Sequence, residues 1–465
     1  MPITTIRNRQ LSAKRCPLGV EGTLNVLFFS SQEIYFVQLK SRQIKNRGLN
    51  MKIGWKTKNS NLKPEEIIKK IESIKKITVD GRVSFEAFEY HNAFASLFSM
   101  IELTSKSDGL NLDSILSRSI STTATAGVLT KDALMENIQK ICRTELATRE
   151  EKYCFLTSVS INPAHLTLKS IYIEDTHINL FSGDYPKKYY SRSREIKASH
   201  RTLNDEHEQY CKVKIQLKAK TDQGATTKAL RSLDILRAIM ALFGNSSMEL
   251  MGNKQAAINK VRLGQTHTLH YFSGKPAKST VWYEPYFEAG KVYSPSKPEV
   301  FGKNVKWALS RLKICKYGRA IKDSLLRYVR ALDEREHNSA LIRLWGALEC
   351  LASPSDSNKD GIPRRCAFLF EESEFHQQIL EHLREHRNQS VHAGEESERA
   401  KTYCYQIQFY FRELILFHLR RSDDFQSLAE ANQFLDLPAK PSDLQRKIDL
   451  YKKALEFQGG STDIQ

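Results

Sequence analysis

Fourteen residues, EHLREHRNQSVHAG over Glu381–Gly394, hold three histidines, two arginines and one asparagine. Two chemistries fit them. Arg387 and His392 suit phosphodiester cleavage, because an imidazole moves protons near neutral pH and a guanidinium grips phosphate in a planar fork. The two lie five residues apart, about 140° around a continuous helix, so they share no helix face. They converge if the helix frays or turns near Ser390–Val391, and Gly394 is a fitting stop signal. The second chemistry is metal-based. His382, Glu385 and His386 read H-x-x-E-H. Histidines at i and i+4 face one way and could ligate zinc, with Glu385 as base. No other peptidase signature accompanies this pattern, and a helix rich in His and Glu produces it by chance. The bland reading of His382 and His386 is a solvated helix face.

The elements that position these residues are helical. From about Lys303 the chain is nearly all helix by periodicity. KNVKWALSRLKICKYGRAIKDSLLRYVRALDE reads as one long segment, EHNSALIRLWGALECLAS as the next, and the loop Pro354–Pro363 separates it from RRCAFLFEES. EFHQQILEHLREHRNQSVH and EESERAKTYCYQIQFYFRELILFHLRR complete a bundle of four to five helices. In the last of these, Tyr403, Ile407, Tyr410, Leu414 and Phe417 recur at three- and four-residue spacing. That stripe is either the bundle's own core or a pairing surface. Pro438 and Pro441 precede a final helix and a polar tail.

The segment RNQSVHAG resembles the Arg-Asn-x-x-x-His signature of HEPN ribonucleases, and it stands near the end of a late helix, where that family places it. LIRLWGALECLAS, with Glu349, and IPRRCAFLF, with Arg365, are similar to segments of the ApeA-like branch. The likeness covers roughly Lys303–Arg421. It implies a metal-independent endoribonuclease that needs no cofactor. Arg387 would bind the scissile phosphate, His392 would act as general acid or base for 2′-hydroxyl attack, and Asn388 would orient them. Glu349 and Arg365 would support the site, each a candidate partner for the other's charge. The resemblance further implies a homodimer or even-numbered oligomer through the helices around Arg387–Tyr410, a bacterial anti-phage or growth-arrest role, and an N-terminal region that senses a trigger or binds substrate. The alternative is a non-catalytic HEPN module that binds nucleic acid or a partner protein.

The remaining chain reads as α+β: a mixed α/β N-terminal region followed by the all-α bundle. We divide it into a basic mixed region (1–116), a Ser/Thr-rich linker or loop (117–128, around SRSISTTATAG), a second β-rich region (129–300), the bundle (301–435), and a last helix with its tail (436–465). LNVLFF and EIYFVQLK are strand-like runs, and Pro64 opens a helix, PEEIIKKIESIKK, with acids first and lysines last. Thr130 caps a further helix. YCFLTSVSI, LTLKSIYIED and YCKVKIQLKAK alternate as strands do. ATTKALRSLDILRAIMALFGN is an amphipathic helix, and HTLHYF and TVWYEPYF are late strands. His267 and His270, three apart on the first of these, point to opposite faces.

Charge supplies the partner class. The 465 residues carry 71 Lys and Arg against 53 Asp and Glu, a net charge of +18. Residues 301–465 hold 26 bases and 24 acids, so almost all of the surplus lies before them. That favours a polyanion, and RNA fits the motif. Two basic stretches stand out. Ile34–Lys63 holds eight bases and no acid, and YPKKYYSRSREIKASHR (Tyr185–Arg201) interleaves tyrosines with Lys187, Lys188, Arg192 and Arg194. Eight cysteines without a C-x-x-C pair read as reduced thiols, and no run approaches a membrane span. Both point to a soluble, cytoplasmic protein. The chain has no phosphate-binding P-loop, since GATTKA lacks its second glycine, and no G-x-S-x-G elbow.

Overall fold

The computed structural model describes residues 53–56, 61–78, 81–103, 110–199, 209–245, 255–284, 287–354, 361–394 and 396–459. The strand-like runs Leu24–Phe29 and Glu33–Lys40 lie outside these residues, as do all bases of Ile34–Lys63 except Lys56 and Lys63. The class is α+β, with a helical C-terminal part. Two compact units divide the chain at Cys142/Arg143.

The first unit is small. β1 (Ile53–Trp55) pairs antiparallel with β4 (Ile101–Leu103), and β2 (Lys75–Ile77) with β3 (Val83–Phe85). α1 (Pro64–Ser73) starts with proline and carries Glu65 and Glu66 in its first turn, as its charge order predicts. It stops early: Lys75 and Lys76 belong to β2. α2 (Ala87–Ser99) follows. The Ser/Thr-rich stretch expected as a linker is instead a helix, α3 (Leu112–Ala126). Ile115, Leu116, Ile120 and Ala124 form its buried stripe. The hydroxyls that suggested a loop donate back to the helix, Ser119 to the Ile115 carbonyl and Thr123 to that of Ser119, both at 2.7 Å. α4 (Lys131–Ala147) begins at Thr130, whose hydroxyl accepts the Ala133 N–H.

The second unit joins what the sequence divides at residue 300. β5 (Glu151–Val159), β6 (Ser170–Ile173), β7 (Thr176–Phe181), β8 (Cys211–Ala219), β9 (Thr266–Tyr271) and β10 (Pro276–Tyr283) form one antiparallel sheet in the order β10-β9-β5-β8-β7-β6. α5 (Ser191–Ala198) packs on β9 and β10. α6 (Asp222–Gly244) covers the other face, its N-terminus capped by Thr221. The sheet's Phe155, Ile178, Val213 and Ile215 share one core with α6 and with the bundle helices. That continuity is why no boundary falls at residue 300.

The bundle comprises α7 (Pro298–Ile314), α8 (Gly318–Leu332), α9 (His337–Ala352), α10 (Gly361–Ala367), α11 (Ser373–His392), α12 (Ala400–Arg420) and α13 (Leu428–Leu435), with α14 (Pro441–Phe457) after it. The segment read as one long helix breaks at Cys315–Tyr317. A Cβ on Gly318 would lie 2.7 Å from the Leu312 carbonyl oxygen, so glycine permits the tight turn. Among the described residues, no helix is long and apolar enough to cross a membrane. The seven described cysteines are free, and six of them are buried.

A charged network stands inside this core. Arg237 of α6 is fully buried. It donates to both oxygens of Asp333 at 2.7 Å, to Asp234 at 2.6 Å and to the Val261 carbonyl at 2.9 Å. Arg330 of α8 donates to the other Asp234 oxygen and to Glu284, and Glu284 also meets His267 at 3.3 Å. Helices α6 and α8 are thus fastened to the end of the sheet.

Two buried histidines and one part-buried carboxylate should cost the fold stability in acid. Burial holds the His418 imidazole down at about 3. It holds His270 down at about 4, aided by the nearby Arg192 charge. Burial alone would raise Glu284, but the His267 hydrogen bond and the Arg330 charge outweigh it and hold the carboxyl at about 2. In each case the unfolded chain takes up the proton first as pH falls. The histidine contributions are intact above their ordinary 6.5 and decline as pH falls toward 4 and 3. The Glu284 contribution declines from 4.5 toward 2. Urea midpoints should therefore be level from pH 7 to 8 and drop continuously below 6.5. A stability maximum near pH 5 would contradict this assignment.

Candidate active site

Helix α11 presents the motif. It runs unbroken to His392, with Ala393 as C-cap and Gly394 at φ +67° just beyond. The expected turn near Ser390–Val391 is absent, because the helical hydrogen bonds continue and the Ala393 N–H still reaches the Gln389 carbonyl at 2.8 Å. Arg387 and His392 are therefore not brought together by their own chain. They sit on different faces of one helix, about 7.5 Å apart along its axis. His392 is exposed at the helix end, whereas Arg387 and Asn388 are half-buried.

Arg387 points toward α9. One guanidinium nitrogen donates to the Asn388 side-chain oxygen at 3.0 Å, and another lies 3.9 Å from Glu349. Asn388 thus holds the guanidinium, and Glu349 faces it at long range. The Arg387 Nε is buried without a hydrogen-bond partner. Beside it, His386 Nε2 and Ser390 Oγ are buried and equally unpartnered. The guanidinium therefore keeps donor capacity for an acceptor from outside the chain.

Arg365 behaves differently, and the expected Glu349–Arg365 pair does not form. Arg365 donates to both oxygens of Asp436, at 2.8 and 2.6 Å, and to the Ala352 carbonyl. That saturates it as a clamp between α10, α9 and the residue after α13. Its partner comes from the segment assigned to the C-terminal tail, about 70 residues away, which helix periodicity does not reveal. Glu349 is left free to face Arg387.

The H-x-x-E-H residues are arranged for packing. The His382 and His386 rings lie stacked 6.2 Å apart, and both meet the Tyr403 ring edge-on, at 5.2 and 4.7 Å. Among the described residues no cluster of three His, Cys, Asp or Glu could hold a metal ion. The stripe on α12 resolves as core: Ile407, Tyr410 and Leu414 are buried within the chain, with Tyr403 and Phe417 packed against them.

The described part of the basic tyrosine stretch, residues 185–199, forms a 3₁₀ turn and helix α5. Lys187 and Lys188 lie in a single 3₁₀ turn before α5. Lys188 donates to the Phe272 carbonyl at 2.9 Å and lies 4.3 Å from the Phe272 ring. Arg192 donates to Thr266 and stacks 4.8 Å from the Tyr185 ring. These two cations help to hold the strap on the sheet. Lys187, Arg194 and Tyr190 remain exposed. No protein-family model, no curated protein and no solved structure matches the chain.

Proposed function

We propose that the chain is a metal-independent endoribonuclease of the HEPN type, similar to the ApeA-like branch. The observation that carries this reading is the state of Arg387. Arg237 and Arg365 are saturated by carboxylates, but Arg387 keeps a buried, unpartnered Nε within an intact Arg-Asn-x-x-x-His sequence. A phosphate supplies the bidentate acceptor that such a guanidinium lacks. Asn388 orients Arg387, and Glu349 sets its position. His392 moves the proton of the attacking 2′-hydroxyl or of the leaving oxygen. The nucleophile stands beside its own phosphate, so positioning and charge stabilisation carry the step.

A continuous α11 separates Arg387 from His392, and a second copy of the chain brings another set to the same phosphate path. Pairing uses the exposed end of α11, because the α12 stripe is already core. RNA cleavage serves anti-phage defence or growth arrest in a bacterial cytoplasm, and the N-terminal region senses the trigger or binds substrate. The separation of Arg387 and His392 also favours a second reading, a non-catalytic module that binds RNA through Arg387. Incubation of purified protein with RNA in EDTA separates them: scission supports the nuclease, and binding without scission supports the module.

A further inference from the structure

We propose that the uncovered part of the large sheet, over β6, β7 and β8, is a binding surface for single-stranded RNA. This deepens the ribonuclease reading and rests on it for the choice of polyanion; the surface itself uses none of the residues assigned above.

Strand alternation makes the surface. In β8, Cys211, Val213, Ile215, Leu217 and Ala219 are buried toward α6, while Lys212, Lys214, Gln216 and Lys218 between them are not. The register continues the pattern. Lys214 lies opposite Asn179, Gln216 opposite His177, and His177 opposite Tyr172. On β6, Ile171 and Ile173 are buried whereas Ser170 and Tyr172 are exposed. The outward positions of β6, β7 and β8 are thus Ser170, Tyr172, His177, Asn179, Phe181, Lys212, Lys214, Gln216 and Lys218, with no carboxylate among them.

Two acids, Glu174 and the 63 % exposed Asp175, stand at the β6–β7 turn, and each has a lysine partner. Asp175 pairs with Lys228, and Glu174 with Lys322. Among the described residues, Lys212, Lys214 and Lys218 form no ion pair. Toward β5 the same face closes over: Cys154 and Leu156 are buried against Tyr189 and Tyr185. The strap ends the surface on one side and leaves Lys188 and exposed Phe272 at its edge.

The chemistry selects an unpaired nucleic acid. Lysines at alternate strand positions are about 7 Å apart, a repeat suited to successive phosphates of an extended strand. Beside them lies a stacked aromatic pair. The Tyr172 and His177 rings stack 4.3 Å apart at 5°, and Tyr172 is 72 % exposed. Ser170 meets the His177 Nε2 at 2.8 Å and fixes that ring. Bases stack on such a pair only when their faces are free, which a duplex does not allow. An acidic peptide would use the lysines and ignore the rings.

The test measures binding with His392→Ala protein, so that cleavage does not interfere. The probe is a fluorescein-labelled 20-nucleotide single-stranded RNA, beside the same sequence as a duplex. Lys212→Gln/Lys214→Gln/Lys218→Gln should lower affinity at least tenfold and reduce the salt slope by about 2, at roughly 0.7 per phosphate contact on a single strand. Tyr172→Ala should cost about fivefold or more without changing that slope. Both variants alter solvent-facing positions, and an unchanged urea midpoint confirms their fold. Equal affinity of variants and wild type, equal affinity for duplex, or displacement by poly-glutamate as effective as by RNA would overturn the proposal. Sheet-dependent binding in a wild-type protein that cuts no RNA would retain this surface and discard the nuclease.

Discussion

His392→Ala should lower RNA cleavage by about 10²–10⁴-fold, the range that a positioned general acid or base supplies. The exposed ring at the end of α11 makes no packing contribution that would confuse the result. Arg387→Ala should cost at least as much, because it removes both phosphate binding and charge stabilisation in the transition state. Arg387→Lys should not restore activity, since an ammonium cannot make the planar two-point contact. Asn388→Ala should act more weakly, through the 3.0 Å bond that holds the guanidinium. Initial rates on one labelled RNA, with urea midpoints for each variant, are the measurement. A His392→Ala protein that cleaves at the wild-type rate would remove His392 from the mechanism.

Arg237→Ala should be the most damaging single change to the fold, at about 3–5 kcal/mol. It strands Asp333, which is bonded through both oxygens, and leaves Asp234 with Arg330 alone. Asp333 then keeps only the Asn259 amide, and Asp234 loses one of its two guanidinium partners. Loss of the Val261 bond loosens the segment between α6 and β9 as well. Arg237→Met with Asp234→Leu and Asp333→Leu should recover part of the loss, because a buried ion network replaced by apolar groups of similar volume is often close to neutral. Equilibrium urea unfolding of the three proteins decides. An Arg237→Ala midpoint equal to wild type would show that the network adds nothing to stability.

The network also shows what the sequence does and does not disclose. ALRSLDILRAIMALF reads as an amphipathic helix, and Leu233, Leu236 and Met240 are buried accordingly. Asp234 and Arg237, an i,i+3 pair in that apolar run, were a visible signal of a buried ion pair. Their partners Asp333 and Arg330 lie about 95 residues on, where no local pattern points to them. The bundle helices were legible because 3.6-residue periodicity is strong over long segments. Short β7 is not legible, since six residues beside a two-residue turn give little periodic signal. The Ser/Thr-rich composition of α3 favours turns and predicts a loop. Its stripe and back-bonded hydroxyls won instead.

At the candidate site, the residue types of Arg387, Asn388 and His392 are legible and their arrangement is not. Gly394 signalled the helix stop, but two residues later than convergence required. Glu349, a charge on an apolar helix, predicts a partner, and it faces Arg387 rather than Arg365. The lysine alternation in YCKVKIQLKAK was plain as a strand pattern. It does not show the register, which sets Lys214 opposite Asn179 and Gln216 opposite the His177–Tyr172 stack.

The chemistry of the cut ends tests the central claim most directly. Purified wild-type protein is incubated with RNA in EDTA, and the fragments are analysed by mass spectrometry. Attack by the 2′-hydroxyl on its own phosphate leaves a 2′,3′-cyclic phosphate, or its hydrolysed monophosphate, and a 5′-hydroxyl. That is the predicted result. Fragments bearing 3′-hydroxyl and 5′-phosphate ends, or scission that is lost in EDTA and restored by zinc, would contradict it.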